Sequence, residues 1–148
     1  MILRTMTLED YYQVHKLWTG IKGFGIRTID DSKEGVEKFL KRNPQTSVVA
    51  EEDGNIIGSI LCGHDGRRGC MYHVCVAEEY RQKGVGQKMA LDAMKRLQEE
   101  GISKVNLIAF KSNAVGNEFW SKSGWTYRND INYYDFDLNE VNSVNFVD

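Results

Sequence analysis

Apolar residues recur along this chain in two distinct periods. Val85, Met89, Ala93 and Leu97 repeat every four residues, joined by Ala90 and Met94, and Gly101 stands where a helix commonly ends. That spacing predicts an amphipathic helix. Leu8, Tyr11, Val14, His15 and Trp18 predict another, opened by Thr7 as N-cap with Asp10 in the first turn. Ser32 caps a shorter helix carrying Val36, Phe39 and Leu40, and Asn113–Ser123 predicts a fourth, ended by Gly124. The other pattern is strand-like. It covers Ile2–Met6, Thr46–Glu51, Asn55–Gly63, Cys70–Ala77 and Ser103–Phe110, with one or two final strands in Trp125–Leu138. Glu52-Asp53-Gly54 is a hairpin signal, whereas Thr19–Asp31, with glycines at 20, 23 and 25, predicts an irregular, mobile loop. The order β-α-α-β-β-β-α-β-α-β gives an α/β architecture with helices on both faces of a sheet.

Size and charge narrow the function. The chain has 148 residues, short connections, no repeat and no low-complexity tract, so one domain over 1–148 is expected. Nineteen Lys+Arg against 21 Asp+Glu give a net charge of −2, which argues against nucleic acid as a partner. The uncharged stretch around Asn55–His64 is too short to cross a bilayer, and the N-terminus has no apolar signal segment. No membrane association and a cytoplasmic location are expected. Three cysteines, Cys62, Cys70 and Cys75, fit reduced and buried thiols.

Chemistry concentrates in Val74–Gln87. A strand there runs into a glycine-rich turn, which opens the clearest helix. The first amides of a helix lack intrahelical partners and its dipole end is positive, so an anion suits that place. Glycines at 84 and 86 would let a pyrophosphate reach the backbone, with Arg81 and Lys83 adding charge. A tight turn with solvated basic residues is the plainer alternative. Gly86 is followed by Gln87 rather than Lys-Ser/Thr, which excludes a P-loop; Met89 replaces the third glycine of a dinucleotide motif.

What remains, Arg81-x-x-Gly84-x-Gly86, resembles the acetyl-CoA pyrophosphate motif of the GNAT superfamily of N-acetyltransferases. Asn113-x-x-Gly116-x-x-Phe119-Trp120-x-x-x-Gly124-Trp125 resembles the second cofactor motif of that family, and the similarity extends over residues 1–138. The motif spacing is similar to ribosomal-protein N-acetyltransferases, and Gly63-x-Asp65-Gly66-x-Arg68-Gly69 resembles a small bacterial branch. The resemblance implies a mixed, mostly antiparallel sheet of six to seven strands flanked by four helices. A splayed strand pair would hold acetyl-CoA as cosubstrate, with no metal. Backbone groups of Val74, Cys75 and Val76 would meet the pantetheine arm, and Arg81 with the amides of Gln82, Lys83, Gly84, Val85, Gly86 and Gln87 would surround the pyrophosphate. Asn113 would bond the pantetheine region, cap its helix, or do both.

Two departures bear on catalysis. The family's acidic tyrosine is Trp120 here, and the glutamate of the ribosomal-protein branch is Ile108. Tyr72 and Tyr134 are the remaining candidates for a proton donor. Strand alternation would put Tyr72 and Cys70 on the face of Val74, with His73 a core residue on the other. The same alternation separates Cys70 from His73 and Cys75, against a metal site. The implied function is transfer of an acetyl group from acetyl-CoA to a primary amine of a peptide or small molecule, by direct attack in a ternary complex. A homodimer is compatible with this. The loop Thr19–Asp31 holds no acidic cluster, which favours a singly charged amine over a polycation. The alternative is a CoA-binding regulatory module with weak or no catalysis.

Overall fold

A computed structural model describes all residues 1–148. The strands are β1 (Ile2–Thr5), β2 (Gly25–Arg27), β3 (Val48–Glu52), β4 (Asn55–His64), β5 (Gly69–Val76), β6 (Val105–Leu107) and β7 (Val144–Phe146). The α-helices are α1 (Tyr11–Thr19), α2 (Lys33–Arg42), α3 (Val85–Glu99) and α4 (Ala114–Lys122), with single 3₁₀ turns at Leu8–Asp10 and Glu78–Tyr80. Five strands form one sheet in the order β1-β3-β4-β5-β6, antiparallel except for the parallel pair β5/β6. β2 and β7 form a separate antiparallel pair.

Alternation in the inner strands sorts the core into two layers. Val48 and Ala50 pack with Ile60, Met89, Ala93 and Leu97 beneath α3, while Val49 packs with Val14, Trp18, Val36 and Leu40 beneath α1 and α2. β4 is buried from Ile56 to Gly63, as a central strand covered on both faces must be. Asp53 (φ 52°) and Gly54 (φ 79°) close the β3–β4 hairpin with two successive left-handed residues, the conformation that matches strand twist.

Three sequence expectations change. First, Thr19–Asp31 is not irregular throughout: Gly25–Arg27 is β2, and it pairs with β7 at the far end of the chain. Thr28 Oγ1 donates to Val141 O, and the Asn142 side chain accepts from the amides of Ile29 and Asp30. Second, Trp125–Leu138 forms no strand. Third, β5 carries a bulge. Ser59 pairs with Cys75 and Leu61 with Tyr72, so His73 and Val74 together oppose Ile60, and His73 takes φ 51°. The extra residue reverses the alternation. Val74 and Val76 pack toward α3, while Cys75 and the His73 ring lie with Trp18 and Phe24 on the α1/α2 side. Tyr72 therefore does not share the face of Val74, and alternation does not separate Cys70 from His73.

β1 is fixed to the first helical turn by charge. Arg4 donates to both oxygens of Asp10 at 2.9 and 2.8 Å and to Glu51 at 3.0 Å, while Thr7 N–H donates to Asp10 Oδ2. Burial alone would raise the Asp10 carboxyl, but Arg4 and the Thr7 amide outweigh it and hold the group below the usual carboxylate range. A carboxylate lowered in the folded state stabilises above its unfolded value of 3.8, and the gain is lost as pH falls through the folded value. We expect Asp10→Ala to cost about 2 kcal/mol at neutral pH. Urea denaturation should show the gap between wild type and variant narrowing below about pH 4.

Candidate active site

β5 and β6 pair only over Gly69–Met71 and Val105–Leu107, then separate. The separation coincides with the bulge, which bends β5 at His73. Ala77 N–H donates to Ile57 O of β4, whereas Val76 O accepts from Arg81 Nε at 3.1 Å on the opposite side. Backbone groups of neighbouring strand residues point oppositely, so Val74 and Val76 face the gap while those of Cys75 turn toward β4. The Cys75 thiol is likewise turned away, 3.3 Å from Ser59 Oγ. Of the three residues expected along a pantetheine arm, the geometry offers the backbone of two.

The turn into α3 has an unusual surplus of donors. The amides of Gln82, Lys83, Gly84, Val85, Gly86 and Gln87 donate to no atom of the protein. By contrast, Ser32 caps α2 by accepting from Gly35 N, and Asn113 caps α4 by accepting from Gly116 N. Gln82 (φ 61°) and Gly84 (φ 81°) are both left-handed. At Gly86 a Cβ would lie 3.4 Å from the Phe119 ring, an ordinary contact, so packing alone does not demand glycine there. Arg81 is spent on Val76 O, and Lys83 Nζ lies 5.4 Å from the centre of the Tyr80 ring. The anion-binding capacity of this turn resides in its backbone.

Beside the gap, an open cleft of about 860 Å³ is bounded by β2, α2, β5 and the stretch Leu107–Phe110. Asn113 and Trp120 also line it. Within it His73 Nε2 lies 2.8 Å from Asp31 Oδ1, and Asp31 Oδ2 accepts from Arg27 N–H at 2.7 Å. The imidazole packs against both Trp18 and Phe24, with ring centroids 4.7 and 4.8 Å away.

The sequence matches the Acetyltransferase (GNAT) family over residues 9–125. It is 31% identical over 113 residues to an acetyltransferase of Sodalis glossinidius (strain morsitans), spanning 76% of this chain and 78% of that protein. The fold is similar to that of Ard1 from Thermoplasma volcanium, with a TM-score of 0.72 and 18% identity over 83% of this chain and 80% of the other. It also matches the PaiA N-acetyltransferase of Thermoplasma acidophilum, solved in complex with coenzyme A, with a TM-score of 0.68 and 20% identity over 82% and 86%. The chain belongs to the GNAT family of acetyltransferases.

Within this GNAT fold the residues singled out from sequence scatter. Tyr72 lines the cleft, half-exposed, its ring edge-on to Phe39; burial and the adjacent Cys70 thiol raise its phenol, which stays protonated. Tyr134 is 86% exposed and takes no part in the cleft wall. Trp120 packs against Phe119 and Trp125, and Ile108 lies open on the cleft. Asn113 both caps α4 and borders the cleft. The pair the sequence did not reveal is His73 with Asp31: 42 residues separate them, and no local spacing announces their meeting.

The three thiols are poor nucleophiles. Burial pushes Cys62 up to about 12 and Cys75 up to about 11, and raises the half-buried Cys70 as well. We expect a disulfide reagent at pH 8 to label the native protein slowly and at Cys70 first. All three should react promptly in denaturant, with labelled positions read by mass spectrometry.

Proposed function

We propose that the protein transfers the acetyl group of acetyl-CoA directly to a primary amine of a peptide or small molecule, with both substrates bound together. The observation that carries this reading is the continuity of the site. The six free amides of Gln82–Gln87, the gap beside Val74 and Val76, and the cleft holding Tyr72 and His73 follow one another. These residues fit the cosubstrate: a pyrophosphate needs N–H donors, and an uncapped helix start supplies them without desolvating a side chain. The coenzyme A bound in the PaiA structure supports the same ligand here.

Acetyl-CoA supplies an activated acetyl thioester; the chain supplies positions and proton transfers. The Val74 and Val76 backbones and Asn113 hold the pantetheine arm, and Arg81 fixes the turn that presents the amides. Asp31 accepts from His73 Nε2–H, which leaves Nδ1 with no protein partner and able to take the proton of the attacking amine. Tyr72 gives a proton to the departing thiolate. The cleft mixes Arg27, Lys38 and Arg42 with Asp30 and Asp31, a balance that favours a singly charged amine over a polycation. No specificity for ribosomal protein is part of this reading, since Trp120 and Ile108 stand at the positions that would carry it. Those same two residues favour the second reading, a CoA-binding regulatory module.

Release of CoA thiol across an amine panel separates the two. A short peptide should be acetylated with a kcat/KM that varies little with ionic strength, and faster than spermidine. Silence across the panel, with CoA bound, would favour the module. Among variants, His73→Gln should lower kcat by roughly 100-fold or more. Calorimetry should find its CoA affinity unchanged, because the ring lies in the cleft and not at the turn.

A further inference from the structure

The wall of the acceptor cleft divides by chemistry. The stretch Leu107–Phe110 is apolar throughout, and Ile108 and Phe110 are 64% and 63% exposed where they border the cleft. The Phe110 ring rests against Phe146 of β7, with centroids 5.9 Å apart. Another part of the wall is basic. α2 presents Lys38 and Arg42, one helical turn apart, and β2 presents Arg27. Phe39, between the first two in sequence, meets the Tyr72 ring edge-on at 5.9 Å, which sets this turn of α2 against β5.

None of these three cations has a carboxylate partner. Lys38 and Arg42 form no salt bridge, although Lys41 beside them lies 4.0 Å from Glu37, and Arg27 Nη1 donates to the Asn142 carbonyl. The nearby acids are committed elsewhere. Asp31 meets His73 and the Arg27 amide, and Asp30 Oδ2 accepts from the Asn142 side chain at 2.8 Å. Asp65, which feels the Arg42 charge, accepts from the amides of Arg67 and Arg68. An amine reaches the cleft mostly as a cation, and unpartnered cations repel it unless the same molecule brings its own anion. Three basic side chains against two carboxylates leave one positive charge, which matches a carboxylate better than a doubly charged phosphate. The planar fork of a guanidinium suits the two oxygens of a carboxylate.

We infer that the acceptor is an apolar amino acid with its carboxylate free. Its amine faces His73 Nδ1, its carboxylate is met by Arg42, Lys38 and Arg27, and its side chain rests on Ile108 and Phe110. This rests on the acetyl transfer proposed above and names the acceptor class for it. In the transfer, the amine nitrogen bonds the acetyl carbon as the carbon–sulfur bond breaks. His73 Nδ1 takes the amine proton, and Tyr72 gives one to the departing thiolate. The carboxylate makes and breaks no bond; it holds the amine in place while the apolar wall selects the side chain.

Two measurements test this, one of them independent of turnover. Calorimetry on the CoA-loaded protein should find N-acetylleucine bound roughly 10-fold more tightly than N-acetylleucinamide, the gain of a few exposed ion pairs. In the CoA-release assay, leucine should be preferred to leucinamide and to glycine. The leucine-to-leucinamide ratio of kcat/KM, compared between proteins, cancels the unequal basicity of the two amines. Lys38→Glu combined with Arg42→Glu, both at exposed positions, should lower that ratio roughly 10-fold or more in a protein still folded by circular dichroism. Ile108→Asn should instead lower the leucine-to-glycine ratio. Tighter binding of N-acetylleucine without turnover of any amine would refute the transfer and support the carboxylate subsite. Equal use of leucine and leucinamide, with their products bound equally, would overturn the inference and leave the transfer standing. So would a preference for the carboxylate that survives the double substitution, or binding of neither product.

Discussion

One additional residue in β5 governs the functional half of this protein. A regular strand would send His73 toward α3 and keep Val74 on the face of Tyr72. With His73 at φ 51°, the strand bends, its alternation reverses, and pairing with β6 ends after Met71. A non-glycine residue in that region costs roughly 1–3 kcal/mol, so it needs support from its surroundings. Trp18, Phe24 and Asp31 provide that support, two aromatic rings packing against the imidazole and a carboxylate meeting one nitrogen. The same contacts that hold the bulge present the imidazole to the cleft.

The neighbouring turn divides its labour differently from what its composition suggests. Arg81 and Lys83 look like the anion ligands, but one is bonded to Val76 O and the other lies over Tyr80. What is left unspent is backbone: consecutive N–H groups at the positive end of α3. An anion met by amides alone would require no side-chain ordering. The cleft is instead lined by charged side chains such as Arg27, Lys38 and Arg42.

Most of the fold and about half of the candidate site were legible in the sequence. Helix α3, the β3–β4 hairpin and the caps at Ser32 and Asn113 are local signals, and each appears where its residues point. The glycines of the turn carry their meaning in sequence for the same reason. The bulge does not, because Cys70–Val76 reads equally well as an unbroken strand. Nor does the Asp31–His73 pair, which only tertiary packing creates. Trp125–Leu138 misleads in another way: its residues alternate as in a strand, but between Thr126 and Leu138 the backbone makes no ladder hydrogen bonds. Glycines at 20, 23 and 25 suggested irregularity, yet the segment gains order from a strand far away in sequence.

That last pairing has a consequence for how the protein is made. Gly25 is opposite Phe146, so β2 closes a loop spanning nearly the whole chain, while the sheet of five strands is built mostly from neighbouring segments. Contacts of such separation form late, after the local ones have reduced the entropy of closing the loop. On a ribosome the five-stranded sheet can assemble once β6 has emerged, whereas the wall of the cleft formed by β2 must wait for β7. A nascent chain would therefore gain its core before its cleft.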